Sequence, residues 1–160
     1  MGASTITIVL VEDSRPFRSF ITSFLREQSG WGLVGEASDG FEAVAAAQTL
    51  RPTLILMDIV LPTLNGLEAA RQIRQIAPAT KIVFLTQETD SDVAREAFNL
   101  GACGYVLKQQ AGTELLPALA AVLRGERFVS RGIFNGLNPT KSPEPAGTQM
   151  TRIAAPRRPS

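Results

Sequence analysis

The chain has 160 residues, 44% of them apolar, and a formal charge of +1. That is enough for one domain with a core, without a general excess of charge to draw it to nucleic acid or membranes. No histidine and a single cysteine, Cys103, exclude a histidine-based triad, an ordinary zinc site and an intrachain disulfide.

Short apolar runs alternate with amphipathic stretches, the pattern of a parallel sheet wound with helices. Strand one is expected at about Thr5–Val11 and helix one at Ser14–Gln28, with Ser14 as N-cap and a stripe of Phe17, Phe20, Ile21, Phe24 and Leu25. Gly30 is the expected left-handed stop. Strand two follows at Leu33–Ala37, helix two at Gly40–Leu50, strand three at Thr53–Asp58 and helix three at Gly66–Ala77, stopped near Pro78. Strand four is expected at Lys81–Leu85, helix four at Ser91–Leu100, strand five at Cys103–Leu107 and helix five at Thr113–Arg124, with Pro117 at the edge of its first turn. The buried-strand setting of Cys103 marks it as a small core residue.

After Ser130 the composition changes. Residues 131–160 hold five prolines, five basic residues and one acid, Glu144, a balance of +4 that leaves −3 for residues 1–130. This tail is expected to be disordered, because it offers too little apolar surface to offset its ordering entropy. No run of about 18 apolar residues predicts a membrane span. Met1–Thr5 lack the basic region and apolar core of a signal peptide, so the expected compartment is the cytoplasm.

Four apolar runs each end in a residue able to do chemistry. Glu12 and Asp13 end the first, Asp58 ends Leu54–Met57, Thr86 ends Ile82–Leu85, and Lys108 ends Tyr105–Leu107. In open parallel sheets the carboxyl ends of the strands form the ligand-binding edge. Three acids crowded there repel one another and call for a cation. A hard dication such as Mg2+ fits, held by carboxylates, water and a backbone carbonyl such as that of Val60. Asp58 could take a phosphoryl group as an acyl phosphate, while the metal and Lys108 neutralise the moving charge. Each residue also has an ordinary reading. Glu12 and Asp13 could be loop acids before a helix N-terminus, Asp58 a turn cap, Thr86 a β-branched strand end, and Lys108 a solvated lysine. Tyr105 could be a half-buried strand tyrosine or a ring with two positions.

Taken together, Glu12-Asp13, Met57-Asp58-Ile59 with Pro62 and Gly66, Thr86, and Gly101 to Lys108 resemble the receiver domain of two-component response regulators over about residues 5–130. The resemblance implies a flavodoxin-like, doubly wound α/β fold: a five-stranded parallel sheet with helices on both faces, spanning residues 1–130. It implies that Asp58 is phosphorylated by a histidine kinase or phosphotransfer protein. Mg2+ would be held by Asp13, Asp58 and the Val60 carbonyl, with Glu12 placing it through water. Thr86 and Lys108 would contact the phosphoryl group, and Thr86 and Tyr105 would shift inward as a switch. The surface of helix four, strand five and helix five would then be read by a partner or, in a homodimer, by a second copy. On this reading the chain is a signalling domain rather than an enzyme.

Gly125–Ser130 resemble the end of receivers that carry a helix-turn-helix. The Pro-rich residues that follow lack the two packed helices such a domain needs, so no direct DNA binding is expected from this chain. The competing reading is a truncated DNA-binding regulator. An aspartate-nucleophile phosphatase is disfavoured because Val60 stands where such enzymes usually carry a second acid, and no dinucleotide fingerprint follows strand one. A receiver that has lost phosphorylation is disfavoured by the full set of site residues. Gln87, where many receivers have a smaller residue, is expected to restrict access to the phosphoryl group or to alter its hydrolysis rate.

Overall fold

The computed structural model describes residues 6–133. The strands are β1 (Ile6–Val11), β2 (Trp31–Ala37), β3 (Leu54–Met57), β4 (Lys81–Thr86), β5 (Gly104–Leu107) and β6 (Phe128–Val129). The helices are α1 (Arg15–Arg26), α2 (Gly40–Leu50), α3 (Gly66–Ile76), α4 (Ser91–Asn99) and α5 (Ala111–Leu123). All strand pairs are parallel, in the order β2-β1-β3-β4-β5-β6. The doubly wound fold expected from the sequence is present, with a short sixth strand added to it.

Every residue of β3 is fully buried, as the unbroken run Leu54-Ile55-Leu56-Met57 requires of a strand covered on both faces. Alternate side chains serve two cores. Val9, Val11, Ile55, Met57, Phe84 and Tyr105 pack under α2, α3 and α4. Ile8, Leu10, Leu54, Leu56, Val83 and Val106 pack under α1 and α5. With β2 on one side of β1 and β3, β4 and β5 on the other, the order of winding reverses between β1 and β3, and the carboxyl ends of those two neighbours flank a crevice where ligands bind in folds of this kind.

Local signals account for most boundaries. The Ser14 hydroxyl accepts the Phe17 N–H at 3.4 Å to cap α1, and Pro16 sits in the first turn. Asp39 and Asn65 cap α2 and α3 in the same way. Gly30 adopts a φ of +85°, the left-handed stop expected there.

Three expectations need correcting. β2 starts at Trp31 rather than Leu33, because Trp31 and Gly32 pair with Ile6 and Thr7. α5 starts at Ala111, continuing a 3-10 turn over Lys108–Gln110. Pro117 consequently lies inside α5 rather than at its first turn, where its missing N–H leaves the Thr113 carbonyl without the usual helical donor. Of the tail 131–160, residues 134–160 lie outside the described range. Arg131–Ile133 are within it, and Ile133 is buried.

Candidate functional site

Each site residue is placed by the element it ends. The Asp58 N–H donates to the Val11 carbonyl at 3.1 Å, continuing the β1–β3 ladder one step and fixing the carboxylate at the crevice. Asp58 Oδ1 accepts the Ile59 N–H at 2.7 Å and the Val60 N–H at 3.3 Å. Gly66 makes this turn possible: a Cβ there would lie 2.2 Å from the Asp58 carbonyl oxygen. The Gly66 N–H donates to Ile59 O at 2.7 Å and ties the loop to the start of α3. Thr63 completes the turn at a φ of 63°, a left-handed conformation unusual for a β-branched residue.

Lys108 reaches back across the sheet edge. Its Nζ lies 2.9 Å from Asp58 Oδ2 and 2.8 Å from Glu12 Oε1. Glu12 Oε2 accepts the Ser14 N–H at 2.9 Å, so this carboxylate joins the lysine to the start of α1. The ammonium also lies 4.7 Å from the centroid of the Phe17 ring, a favourable cation–π contact. Burial works against the lysine's charge, but hydrogen bonds and attraction from Glu12 and Asp58 outweigh it and raise its pKa.

Asp13 is the exposed member of the acidic set, whereas Glu12 and Asp58 are only 2% and 5% exposed. One oxygen from each of the three carboxylates lies within 4.8 Å of the others. Three carboxylates against one ammonium leave surplus negative charge, and an all-oxygen set suits a hard dication. The donor chemistry therefore fits Mg2+.

Glu12, Asp13, Asp58, Val60, Thr86 and Lys108 line one cleft of about 580 Å³, together with Ser14, Phe17 and Gln87. Tyr105 is not in its lining. Thr86 is fully buried, and its Oγ1 accepts the Glu88 N–H at 3.3 Å. Tyr105 is also fully buried, and its hydroxyl donates to the Glu88 carbonyl at 2.9 Å. The two residues thus hold the same loop, between β4 and α4. Burial, and then the nearby charges of Glu88, Asp58 and Asp90, push the Tyr105 phenol far above its ordinary pKa. Tyr105 is therefore neither the half-buried nor the water-facing tyrosine of its ordinary reading.

Three contributors to the site were not singled out. Phe17 is visible in the sequence only as part of the α1 stripe. Its place one turn into the helix that follows Glu12-Asp13 is the signal that could have put it beside the lysine. Ser14 is read as a cap, and its second part, donating to Glu12, follows from the same turn. Glu88 contributes its backbone N–H and carbonyl, which no side-chain pattern reveals, besides its charge near Tyr105.

A wound parallel sheet with an acidic crevice at its β1/β3 reversal and a lysine clasping the buried aspartate defines a class of signalling receiver. The family model for the response regulator receiver domain matches residues 8–120, and the chain belongs to that family, the receivers of two-component systems. It is 36% identical over 126 residues to the uncharacterized transcriptional regulatory protein YxjL of Bacillus subtilis (strain 168), covering 79% of this chain and 58% of that protein. It is 35% identical over 122 residues to the response regulator protein VraR of Staphylococcus aureus, covering 76% and 58%. The chain thus spans 58% of the length of these curated relatives. Among solved structures, a LuxR-family response regulator from Aurantimonas sp. SI85-9A1 superposes with a TM-score of 0.79 at 36% identity, covering 82% of this chain and 94% of that one. The response regulator domain of Thermotoga maritima CheB gives 0.70 at 30% identity, covering 74% and 96%. Among the described residues, no helix is long and apolar enough to cross a membrane.

Proposed function

We propose that Asp58 is the phosphoacceptor of this receiver and that the donor is a phosphohistidine on a kinase or phosphotransfer protein in the cytoplasm. The observation that carries the reading is the clasp: the Lys108 ammonium lies 2.9 Å from Asp58 Oδ2, in a cleft where three carboxylates converge. Oδ1 is engaged by two backbone N–H groups, so Oδ2 is the oxygen presented to the cleft. Oδ2 attacks phosphorus, an O–P bond forms, and the P–N bond to the donor imidazole breaks with its electron pair returning to nitrogen. Mg2+ held by Asp13, Asp58 and the Val60 carbonyl, with Glu12 placing it through water, would supply charge neutralisation for the phosphoryl oxygens.

Lys108 turns from the carboxylate to the phosphoryl oxygens as charge develops there. The Thr86 hydroxyl leaves the Glu88 N–H for the same group, and the loop it held is freed to move. The phosphoryl group adds about −1.5 to −2 charge units. That is enough to bias two loop arrangements whose contacts to it differ. Tyr105, already inward and bonded to Glu88, links this loop to β5, and the α4–β5–α5 surface is what a partner or second copy reads. Gln87 lines the cleft and narrows access to the phosphoryl group, so Gln87→Ala should change the rate of its hydrolysis; equal rates would remove that role.

A second reading is favoured by the relatives. Both are longer than the stretch that matches, and YxjL is described as a transcriptional regulatory protein. The chain would then be the receiver portion of a regulator with a DNA-binding output domain. A reading frame continuing into such a domain decides between the two.

The test of the phosphoacceptor is intact mass and elution volume after incubation with Mg2+ and acetyl phosphate. The parent should gain one phosphoryl group and Asp58→Asn none; a shift in elution volume would make dimerisation the output. If the folded parent gains nothing and also fails to bind beryllofluoride, Asp58 is not a phosphoacceptor.

A further inference from the structure

The far edge of the sheet is closed by the chain itself. After α5 the backbone turns back, and Phe128 and Val129 pair with Gly104 and Tyr105. The Ser130 N–H then donates to the Tyr105 carbonyl at 2.8 Å. The Ser130 hydroxyl accepts the buried Leu107 N–H at 2.8 Å and donates to Glu114 Oε1 on α5. The other oxygen of Glu114 accepts the Arg131 N–H at 3.2 Å. Gly132 follows, so close to Leu107 that a Cβ would fall 2.7 Å from its Cδ1. Ile133, 2% exposed, joins the core cluster that holds Tyr105, Leu107 and Phe98. Six residues thus fill the edge of β5 between α4 and α5 and cover the face through which the domain would signal.

Two of the segment's anchors, Tyr105 and Leu107, lie within three residues of Lys108. Tyr105 supplies a carbonyl, Leu107 an N–H and an apolar side chain. Gln110, also beside Gly132, has a buried Oε1 with no hydrogen-bond partner among the described residues. Thr86, in the cleft, holds the Glu88 N–H, the Tyr105 hydroxyl holds the Glu88 carbonyl, and the Tyr105 carbonyl holds the Ser130 N–H, so a hydroxyl that leaves Glu88 for a new anion frees the loop to which the strap's own anchor is tied. The backbone at Gly132 packs over Leu107 with no room for a Cβ, and packed cores deform between discrete arrangements rather than continuously.

We propose that residues 128–133 are an in-chain strap docked on the β5 edge, and that loading the Asp58 cleft loosens it, passing the state of the cleft to the chain that follows Ile133. This rests on the phosphoacceptor reading for the loading step. The strap is both the cover of the α4–β5–α5 face and its readout: while docked it withholds Tyr105, Leu107 and Phe98 from any partner.

The test is amide hydrogen exchange of the full 160-residue chain, with and without Mg2+ and beryllofluoride, with loading followed independently by fluorine NMR. Exchange at Leu107, Ser130 and Ile133 should speed up by about fivefold or more on loading, the lower end of ordinary coupling between sites. Asp58→Asn should show no change. Ser130→Ala should exchange fast at these amides in both states while still loading. Glu114→Gln, which keeps the shape of the clasp but weakens its acceptor, should behave in the same direction if Ser130→Ala does not fold. A cleft that loads while these amides stay unchanged or slow down overturns the strap alone. A cleft that does not load takes down the phosphoacceptor reading and the strap's trigger with it.

Discussion

Two buried polar networks share β5, and they differ in kind. At its carboxyl end Lys108 is joined to Glu12 and Asp58, with Asp13 close by and surplus negative charge. Along its edge Ser130 is joined to Leu107, Tyr105 and Glu114, with every Ser130 bond made to a matched neighbour. The first network is open to a cleft and short of cations; the second is closed and satisfied. A satisfied network holds a structure in one arrangement, whereas an unbalanced one is a site waiting for a ligand. Lys108 follows directly on the four-residue strand whose edge carries the second network, so the two lie side by side.

The comparison can be broken most forcefully at the lysine. Lys108→Ala strands Glu12 and Asp58 at low exposure without their cation. Removing one partner of a buried ion pair costs about 3 kcal/mol at the lower end of its range, which applies here because the cleft admits water. The midpoint of urea unfolding should fall accordingly, and Mg2+ should restore more stability to this variant than to the parent. An unchanged midpoint, or a midpoint indifferent to Mg2+, would show that the acids are not frustrated.

The edge network should respond less. Ser130→Ala removes the acceptor of a buried N–H and the donor to Glu114, at a cost of about 2 kcal/mol. The loss is limited because the strap can open locally while the rest of the domain stays folded. Trypsin should accordingly cut after Arg127 and Arg131 faster than in the parent, with only a small drop in the global midpoint. A drop as large as that of Lys108→Ala, without added cleavage, would mean that the strap is part of the cooperative core.

The same contrast explains what could be read from the sequence. Glu12, Asp13, Asp58, Thr86 and Lys108 each end an apolar run, so strand periodicity alone carries them to one rim. The doubly wound fold follows from the same alternation. β6 is two residues long, too short to show a period, and exists only because Tyr105 and Gly104 offer an edge. Ser130 and Glu114 are sixteen residues apart and carry no pattern that joins them. The early start of α5 was hidden because the 3-10 turn from Lys108 runs straight into it. Tyr105 could be placed on β5 but not given a side. Its burial depends on the Glu88 carbonyl, which belongs to the fold of a loop and not to any side-chain type.

The smallest expected effect lies at the link between the networks. Tyr105 is the only tyrosine in the chain, so the tyrosinate absorbance band reports this residue alone. In the unfolded chain the phenol ionises near its ordinary value of 10.0, while in the folded protein burial first, then Glu88, Asp58 and Asp90, keep it protonated well above that. Above pH 10 the unfolded state therefore binds fewer protons than the folded state, and stability falls as pH rises through this window. Below pH 10 the contribution is complete and flat. Lys108, whose pKa is also raised, loses stabilising charge in the same direction at still higher pH. Comparing the parent with Tyr105→Phe cancels that second contribution. The variant should lose about 1 kcal/mol at neutral pH, from the hydrogen bond to Glu88, and show a shallower alkaline decline. A tyrosinate band rising at pH 10 in the folded parent would place the phenol in water. It would then couple neither the β4–α4 loop to β5 nor the cleft to the strap.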